Sequence, residues 1–220
     1  MQATLEKALS VVLSSQIETT GAGRTDTGVH AIEMYAHFES DLYFEIAQTV
    51  YKLNSFLPKD IAIIDIFPVH DDAHARFDAT ERTYIYKMHA TKDVFLENLS
   101  WQFSQAFDIE QMNIAANELS RHTDFECFSK VNTDVNTFNC KITHAFWEQR
   151  GNTIQFKITA DRFLRNMVRA IVGTLINVGI GKITIAQFIE IINSRDRKKA
   201  GISVPAHGLY LVNIKYDYLK

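Results

Sequence analysis

The sequence has few of the residues that mark linkers, tails or disulfide scaffolds. Its 220 residues include only 9 glycines, 3 prolines and 2 cysteines. No Pro- or Gly-rich tract therefore separates domains or extends as a tail. Cys127 and Cys140 lack the CxxC spacing of a redox or zinc pair, so we expect two reduced, packed thiols of the kind found in cytoplasmic proteins.

Long hydrophobic runs are also absent. The longest, 61–67 and 171–180, are far shorter than the roughly 18–20 residues that span a bilayer, so no membrane helix is expected. A short apolar run at 8–13 lacks the basic residues of a secretion signal, which again favours a cytoplasmic protein. With 46% hydrophobic residues, the chain has enough apolar surface for one large domain or two small ones.

The net charge of −3 excludes a generally basic protein, but the charges are unevenly distributed. Residues 39–72 contain 7 acidic and 2 basic side chains, whereas residues 161–199 contain 3 acidic and 8 basic ones. Because binding to phosphate depends on the local field, the basic segment is a candidate surface for RNA or DNA. A solvated helix face is the alternative interpretation.

Hydrophobic periodicity predicts an α+β protein with two related halves, divided as 1–70 and 71–220. The second half follows the order strand, helix, strand, strand, helix, strand of a split βαβ, or ferredoxin-like, unit. The first half has the same order without an opening strand. The predicted elements are a helix at 4–14, neighbouring strands at 16–20 and 31–39, a helix at 41–56 that ends before Pro58 and a buried strand at 61–67, then a strand at 82–89, a helix at 109–121, a hairpin of 141–149 and 153–160, helices at 163–178 and 185–192 and a strand at 209–216.

The densest polar and glycine cluster is Gly21–His30, GAGRTDTGVH. Its spacing fits neither the GxGxxG dinucleotide fingerprint nor a P-loop, which disfavours nucleotide cofactors. Arg24 and Asp26 remain as a guanidinium and a carboxylate on one tight turn, an arrangement that suits a catalytic acid in a phosphate-rich site. On composition alone, however, an ordinary Asx-type turn in which Asp26 bonds its own backbone is the preferred interpretation.

Three further patterns carry possible chemistry. The cluster His70-Asp71-Asp72-Ala73-His74 has metal-binding residue types, but it lies in a predicted connection and a capping-rich loop is the preferred interpretation. Tyr84 shares a strand face with Tyr86, where aromatics usually belong to the core but can also stack on a base. A helical wheel over 163–178 places arginines on one side and apolar side chains on the other, with a glycine among the arginines that permits a close approach; these residues are Arg162, Arg165, Arg169 and Gly173.

Five motifs, in this order and spacing, resemble the bacterial tRNA pseudouridine synthase A family over essentially the whole chain. They are GAGRTDTGVHA at 21–31, HARF at 74–77, RTYIY at 82–86, FLRNMVRAIVGTL at 163–175 and GLYL at 208–211. The resemblance implies two ferredoxin-like halves whose antiparallel sheets flank a central cleft. It also implies isomerisation of uridine to pseudouridine at positions 38, 39 and 40 of the tRNA anticodon arm.

The resemblance also assigns roles to single residues. Asp26 corresponds to the catalytic aspartate, Arg169 to the basic residue that pairs with it, Tyr84 to the tyrosine that packs against the target base, and Arg24 to a residue at the phosphate side. Further RNA contacts are expected from Arg76, Arg82, Arg162 and Arg165. Family members work as homodimers without a metal or nucleotide cofactor.

One departure from the family pattern concerns the start of the chain. The family opens with a strand that carries Tyr-Asp-Gly and Gly-Trp-Gln elements, whereas this sequence begins at the helix predicted for 4–14. A start site placed too late and a shortened protein with an exposed sheet edge are the two explanations. If the shortened chain grips structured RNA without turnover, it is a binding module rather than an enzyme.

Overall fold

A computed structural model describes residues 1–131 and 135–219. Helices and sheets are both present, which confirms the predicted mixture of the two. In chain order the elements are α1 (Gln2–Leu13), β1 (Thr20–Gly21), β2 (His30–Ala31), β3 (Ala36–His37), α2 (Ile46–Phe56), β4 (Ala79–His89), β5 (Trp101–Gln102), α3 (Ile109–Glu118), β6 (Ile142–Arg150), β7 (Thr153–Ala160), α4 (Met167–Gly179), α5 (Ile185–Ser194) and β8 (Leu209–Tyr216).

The fold divides into two compact units. The first consists of Met1–Arg24 and Tyr35–Asp78, and the second consists of Thr25–Met34 together with the chain from Ala79 onward. Division of the sequence at residue 70 placed the segment 25–34 with the first half. In the structure this segment belongs to the second unit because β2 pairs in parallel with β8.

The second unit is built on a sheet with the strand order β2-β8-β4-β7-β6, and β5 adds to one end of β4. The four long strands β8, β4, β7 and β6 pair antiparallel, and the hairpin between β6 and β7 turns at 150–153 as predicted. Along the chain, α3 lies between β4 and β6, and α4 lies between β7 and β8. The predicted order of strand, helix, strand, strand, helix, strand is therefore confirmed for residues 79–216.

Helices α3, α4 and α5 share one continuous apolar core with this sheet. Its largest fully buried side chains include Trp147, Tyr86, Phe156 and Phe188. Helix α4 is buried on almost every side, because all of its residues except Arg169 and Asn177 are buried. The predicted arginine face is therefore wrong for a physical reason: Arg162 and Arg165 precede the helix, and only Arg169 lies on it.

A close backbone approach occurs between α4 and the segment 201–204. A Cβ built on Gly201 would lie 2.7 Å from the carbonyl carbon and oxygen of Gly173, and one built on Gly173 would overlap the Ile202 carbonyl. Side chains at either position would push the two backbones apart. The close approach predicted at Gly173 is therefore confirmed, and the partner is the backbone of 201–202.

The first unit has a smaller core between α1 and α2. Leu9, Leu53 and Leu57 are buried there, and β1 pairs antiparallel with β3. Helix α2 begins five residues later than predicted, because the Glu45 side chain caps it by accepting the backbone N–H groups of Ala47 and Gln48. It ends at Phe56, as predicted, with Leu57 as an extended C-cap residue before Pro58.

Two predictions in this region are wrong. The segment 61–67 is not a strand and is not buried; Ile64 is exposed, and the Asn54 side chain bonds both backbone groups of Ile63, where a partner strand would otherwise bind. The segment 31–39 is not one strand, because Ala31 pairs with β8 whereas only Ala36 and His37 pair with β1. Strand pairing, not local hydrophobicity, decided both outcomes.

None of the helices within 1–131 and 135–219 combines the length and the apolarity needed to cross a bilayer.

Candidate active site

Asp26 lies on a tight turn that is anchored to the edge of the large sheet. Its carbonyl accepts the backbone N–H of Val29 at 3.1 Å, and Gly28 follows with a positive φ of 87°. Beyond this turn, β2 joins β8, and the Ile32 N–H donates to the carbonyl of Leu211 at 2.8 Å. The glycine is required here because L side chains rarely adopt that backbone conformation. The turn therefore holds Asp26 on a rigid support.

Arg169 on α4 forms a direct ion pair with Asp26. Its Nη1 donates to Oδ2 at 2.8 Å, and both side chains are largely shielded, with 19% and 24% of their surfaces exposed. Its Nε donates to the carbonyl of Val204 at 2.7 Å, which fixes the plane of the guanidinium. Charge-assisted hydrogen bonds in such partly buried places are stronger than those between neutral groups. The structure thus brings together two predicted site residues 143 positions apart in the chain.

Arg165 lies farther from the same carboxylate. Its Nε is 3.9 Å from Oδ1 of Asp26, and 60% of its side chain is exposed. An exposed pair at this distance contributes little to stability. Its exposure and charge suit it instead to a ligand that approaches the carboxylate from solvent.

Tyr84 on β4 is partly buried and packs edge to face on Phe163, with ring centroids 5.2 Å apart. Burial raises the pKa of Tyr84 to about 12; the Arg82 charge opposes this shift and the nearby Asp26 carboxylate adds to it. The phenol therefore stays neutral at physiological pH. Tyr86, two residues along, is fully buried and donates its hydroxyl to the carbonyl of Pro205 at 2.8 Å, so it belongs to the core.

Asp26 and Arg169 open into a pocket of about 440 Å³. Among the residues that the structure describes, Lys130, Val131, Asn166 and Arg197 also line it. Lys130 and Asn166 were not among the residues predicted from the sequence, and Arg197 was included only as part of the basic segment 161–199. Asn166 directly precedes α4 with a left-handed φ of 66°, and this conformation, unusual for a residue other than glycine, has no signature in hydrophobic periodicity.

Four further arginines were predicted to contact RNA. Arg24 and Arg76 are exposed residues of the first unit, and Arg76 lies over the ring of Phe77. Arg82 in the second unit donates to the backbone carbonyls of Ala79 and Asp161. Arg162, which follows Asp161 in the chain, is half-buried. The structure leaves the roles of these four residues as predictions.

The His70–His74 cluster forms a turn. The His74 ring accepts the backbone N–H groups of Arg76 and Phe77 at Nδ1, and the His74 N–H donates to Asp78. Across the part of the chain that the structure describes, no three His, Cys, Asp or Glu side chains converge as metal ligands would. The capping interpretation therefore accounts for His74.

The arrangement suits acid–base or nucleophilic chemistry on a phosphate-bearing substrate. The Asp26 carboxylate faces the open pocket, and the other charged side chains among the described lining residues, Lys130, Arg169 and Arg197, are cationic. A carboxylate can attack carbon or remove a proton, and the cations attract phosphate.

Comparison with known proteins gives a consistent result. The model of a family described as tRNA pseudouridine synthase matches residues 115–217. A protein of Porphyromonas gingivalis named tRNA pseudouridine synthase A is 51% identical over 220 residues, which cover 98% of this chain and 87% of that protein. Proteins of the same name from Parabacteroides distasonis and Bacillus subtilis are 50% and 38% identical, covering 98% and 99% of this chain and 86% and 90% of theirs. The chain belongs to the tRNA pseudouridine synthase A family.

Proposed function

We propose that this protein converts uridine to pseudouridine in tRNA, at positions 38, 39 and 40 of the anticodon arm, and that Asp26 is its catalytic group. The observation that carries the proposal is the Asp26–Arg169 pair, 2.8 Å apart, at the wall of an open pocket with further cationic side chains. The reaction is inferred from membership of the family. The role of Asp26 is supported by the open pocket, which leaves its carboxylate accessible to RNA.

The proposed reaction balances within one nucleotide. The bond from C1′ of the ribose to N1 of uracil breaks, the base turns, and a bond forms from C1′ to C5. The C5 proton leaves and N1 gains one, so the reaction requires no oxidant, reductant or energy source. Asp26 acts in ionised form in either of two routes, by attack on C1′ or by removal of a sugar proton.

A uridine inside a stem must first leave the base stack, which costs a few kcal/mol. We assign compensating contacts to Tyr84, whose neutral ring packs against the base, and to Arg165, Arg162 and Lys130, which attract the flanking phosphates. Arg24 is proposed at the phosphate of the flipped nucleotide. Arg76 and Arg82 are proposed to contact RNA farther along the substrate.

The family resemblance extends the proposal to the assembly. We propose a cytoplasmic homodimer that works without metal or nucleotide cofactor. Each chain is proposed to contain two ferredoxin-like halves whose sheets flank a cleft. The strand order β8-β4-β7-β6 and the two intervening helices support a ferredoxin-like C-terminal half.

The test is incubation of the protein with unmodified tRNA, followed by mapping of pseudouridine. We expect modification in the anticodon arm by the wild-type protein, none by Asp26→Ala, and tRNA binding by both. Asp124→Ala is the matched control, because Asp124 also pairs with an arginine, Arg195 at 2.9 Å, but lies outside the pocket. It should retain activity. Binding of tRNA without pseudouridine formation by the wild-type protein would instead identify an RNA-binding module.

A further inference from the structure

The segment 201–204 links the catalytic pair to a residue that the sequence motifs do not assign. Its Val204 carbonyl accepts Nε of Arg169 at 2.7 Å, while Nη1 of the same guanidinium donates to Asp26. Because a guanidinium is planar and rigid, the position of this carbonyl determines where Nη1 points. The orientation of Arg169 therefore depends on how the segment 201–204 is held.

One side of this segment is held by α4. The Gly201 N–H donates to the Thr174 hydroxyl at 2.9 Å, and the Thr174 hydroxyl in turn donates to the Ala170 carbonyl at 2.7 Å. The backbones of Gly201 and Gly173 lie too close for any side chain between them. The Val204 N–H also donates to the Arg169 carbonyl at 3.3 Å, so the segment is attached to α4 at both of its ends.

Arg197 holds the residues between these two ends from the other side. Its Nη1 donates to the Gly201 carbonyl at 3.0 Å and its Nη2 to the Ser203 hydroxyl at 2.8 Å. The same hydroxyl accepts Nδ2 of Asn166, so two donors occupy the acceptor positions of one oxygen. The guanidinium fork thus spans residues 201 and 203, immediately before the carbonyl that Arg169 uses.

We propose that Arg197 is a positioning residue for catalysis: by holding Gly201 and Ser203, it places the Val204 carbonyl that aims Arg169 at Asp26. The inference rests on the proposed function, because its readout is pseudouridine formation. Arg197 also lines the pocket, so direct binding of RNA is the competing role. The two roles differ in which kinetic constant they change.

The experiment measures kcat and KM for tRNA in Arg197→Ala. We expect kcat to fall about 10²-fold, as for displacement of a reacting group by about 1 Å. KM should change by less than about threefold, because an interaction that aims the catalytic groups is not one that binds substrate. A raised KM with unchanged kcat would show that Arg197 holds RNA and would overturn the proposal, as would unchanged values of both constants.

A double-mutant cycle tests whether Arg197 acts through Arg169. In an Arg169→Lys background the lysine lacks the Nε that Val204 holds, so Arg197→Ala should lower kcat by only about twofold. An equal loss in both backgrounds would show that Arg197 acts independently of Arg169, which contradicts the proposal.

Arg197→Lys covers the case in which the alanine variant does not fold. It keeps the positive charge but loses the fork, so we expect a loss of kcat here too; full activity would show that charge alone matters and would overturn the proposal. Arg195→Ala is the matched control, since Arg195 lies in the same basic stretch, is 64% exposed and pairs with Asp124 outside the pocket. A wild-type protein that forms no pseudouridine would refute the proposed function itself.

Discussion

Gly201→Ala should damage catalysis more than it damages the fold. The new Cβ would lie 2.7 Å from the carbonyl carbon and oxygen of Gly173 and 2.8 Å from the nitrogen of Thr174, all backbone atoms. An ordinary carbon–oxygen contact is about 3.3 Å, so the backbones must separate by roughly 0.6 Å. If that movement reaches Val204, its 2.7 Å bond to Arg169 lengthens beyond the normal hydrogen-bond range of about 2.7–3.2 Å.

The expected magnitudes follow from these distances. Overpacking of this kind costs about 1–3 kcal/mol of unfolding free energy. For a protein of this size that lowers the melting temperature by several degrees, without loss of the fold. Displacement of the Arg169 guanidinium from Asp26 should lower kcat by about 10²-fold. Thermal unfolding and steady-state pseudouridine formation measure the two effects separately.

Gly179→Ala on α4 provides the comparison. A Cβ there would meet the Sδ and Cγ atoms of Met112, which is a flexible side chain, and the Cβ of Phe107. Methionine adapts to such changes, and none of these atoms contacts the Asp26–Arg169 pair. We expect some loss of stability but no loss of kcat. Full activity in Gly201→Ala, or an equal loss of activity in both variants, would refute the link between the segment 201–204 and catalysis.

Three further predictions concern charge and protonation. Arg169→Ala should lower kcat by at least as large a factor as it weakens tRNA binding; unchanged turnover would remove Arg169 from the site. Burial raises the pKa of Tyr84 to about 12, so between pH 10 and 12 the folded protein keeps a proton that the unfolded chain loses. The free energy of unfolding should therefore fall as the pH rises across that window. In the Tyr84→Phe variant it should fall less steeply, as measured by chemical denaturation at each pH. Burial also raises the pKa of both Cys127 and Cys140 to about 12, so a thiol reagent at pH 8 should label neither until the protein unfolds; rapid labelling of native protein would contradict this.

The second unit could be predicted largely from sequence because its elements are long and strongly patterned. The alternation of apolar and polar residues in strands such as β4 and β7 can be recognised within a short stretch of sequence. The same holds for the 3.6-residue hydrophobic period of α3 and α5. Helix α4 was found but its start was placed four residues early. Its first residues continue the apolar period, whereas the left-handed backbone at Asn166 delays the helix to Met167.

The first unit was less predictable because its strands depend on distant partners. The apolar segment 61–67 has the composition of a strand, but a strand requires a neighbour with free backbone groups, and here an asparagine side chain binds Ile63 instead. The segment 31–39 splits because β8, from the far end of the chain, pairs with Ala31. No local pattern encodes such pairings.

The candidate site was predictable only in part. The motifs around Asp26 and Arg169 identified both residues through family resemblance, and the structure brings them within hydrogen-bond distance. Composition alone preferred an ordinary turn at Asp26. Asn166 lies in the same motif as Arg169 but was not singled out there, and Lys130 lies outside the five motifs, so only tertiary packing reveals it.

The most direct test of the central claim is release of the C5 hydrogen from uridine. With tRNA tritiated at C5 of uridine, the wild-type protein should release tritium to water, because the new glycosidic bond replaces that C–H bond. Asp26→Asn keeps the size of the side chain but removes the charged carboxylate, and it should release none while still binding the tRNA. Tritium release by Asp26→Asn at the wild-type rate would show that the carboxylate of Asp26 does not perform the reaction.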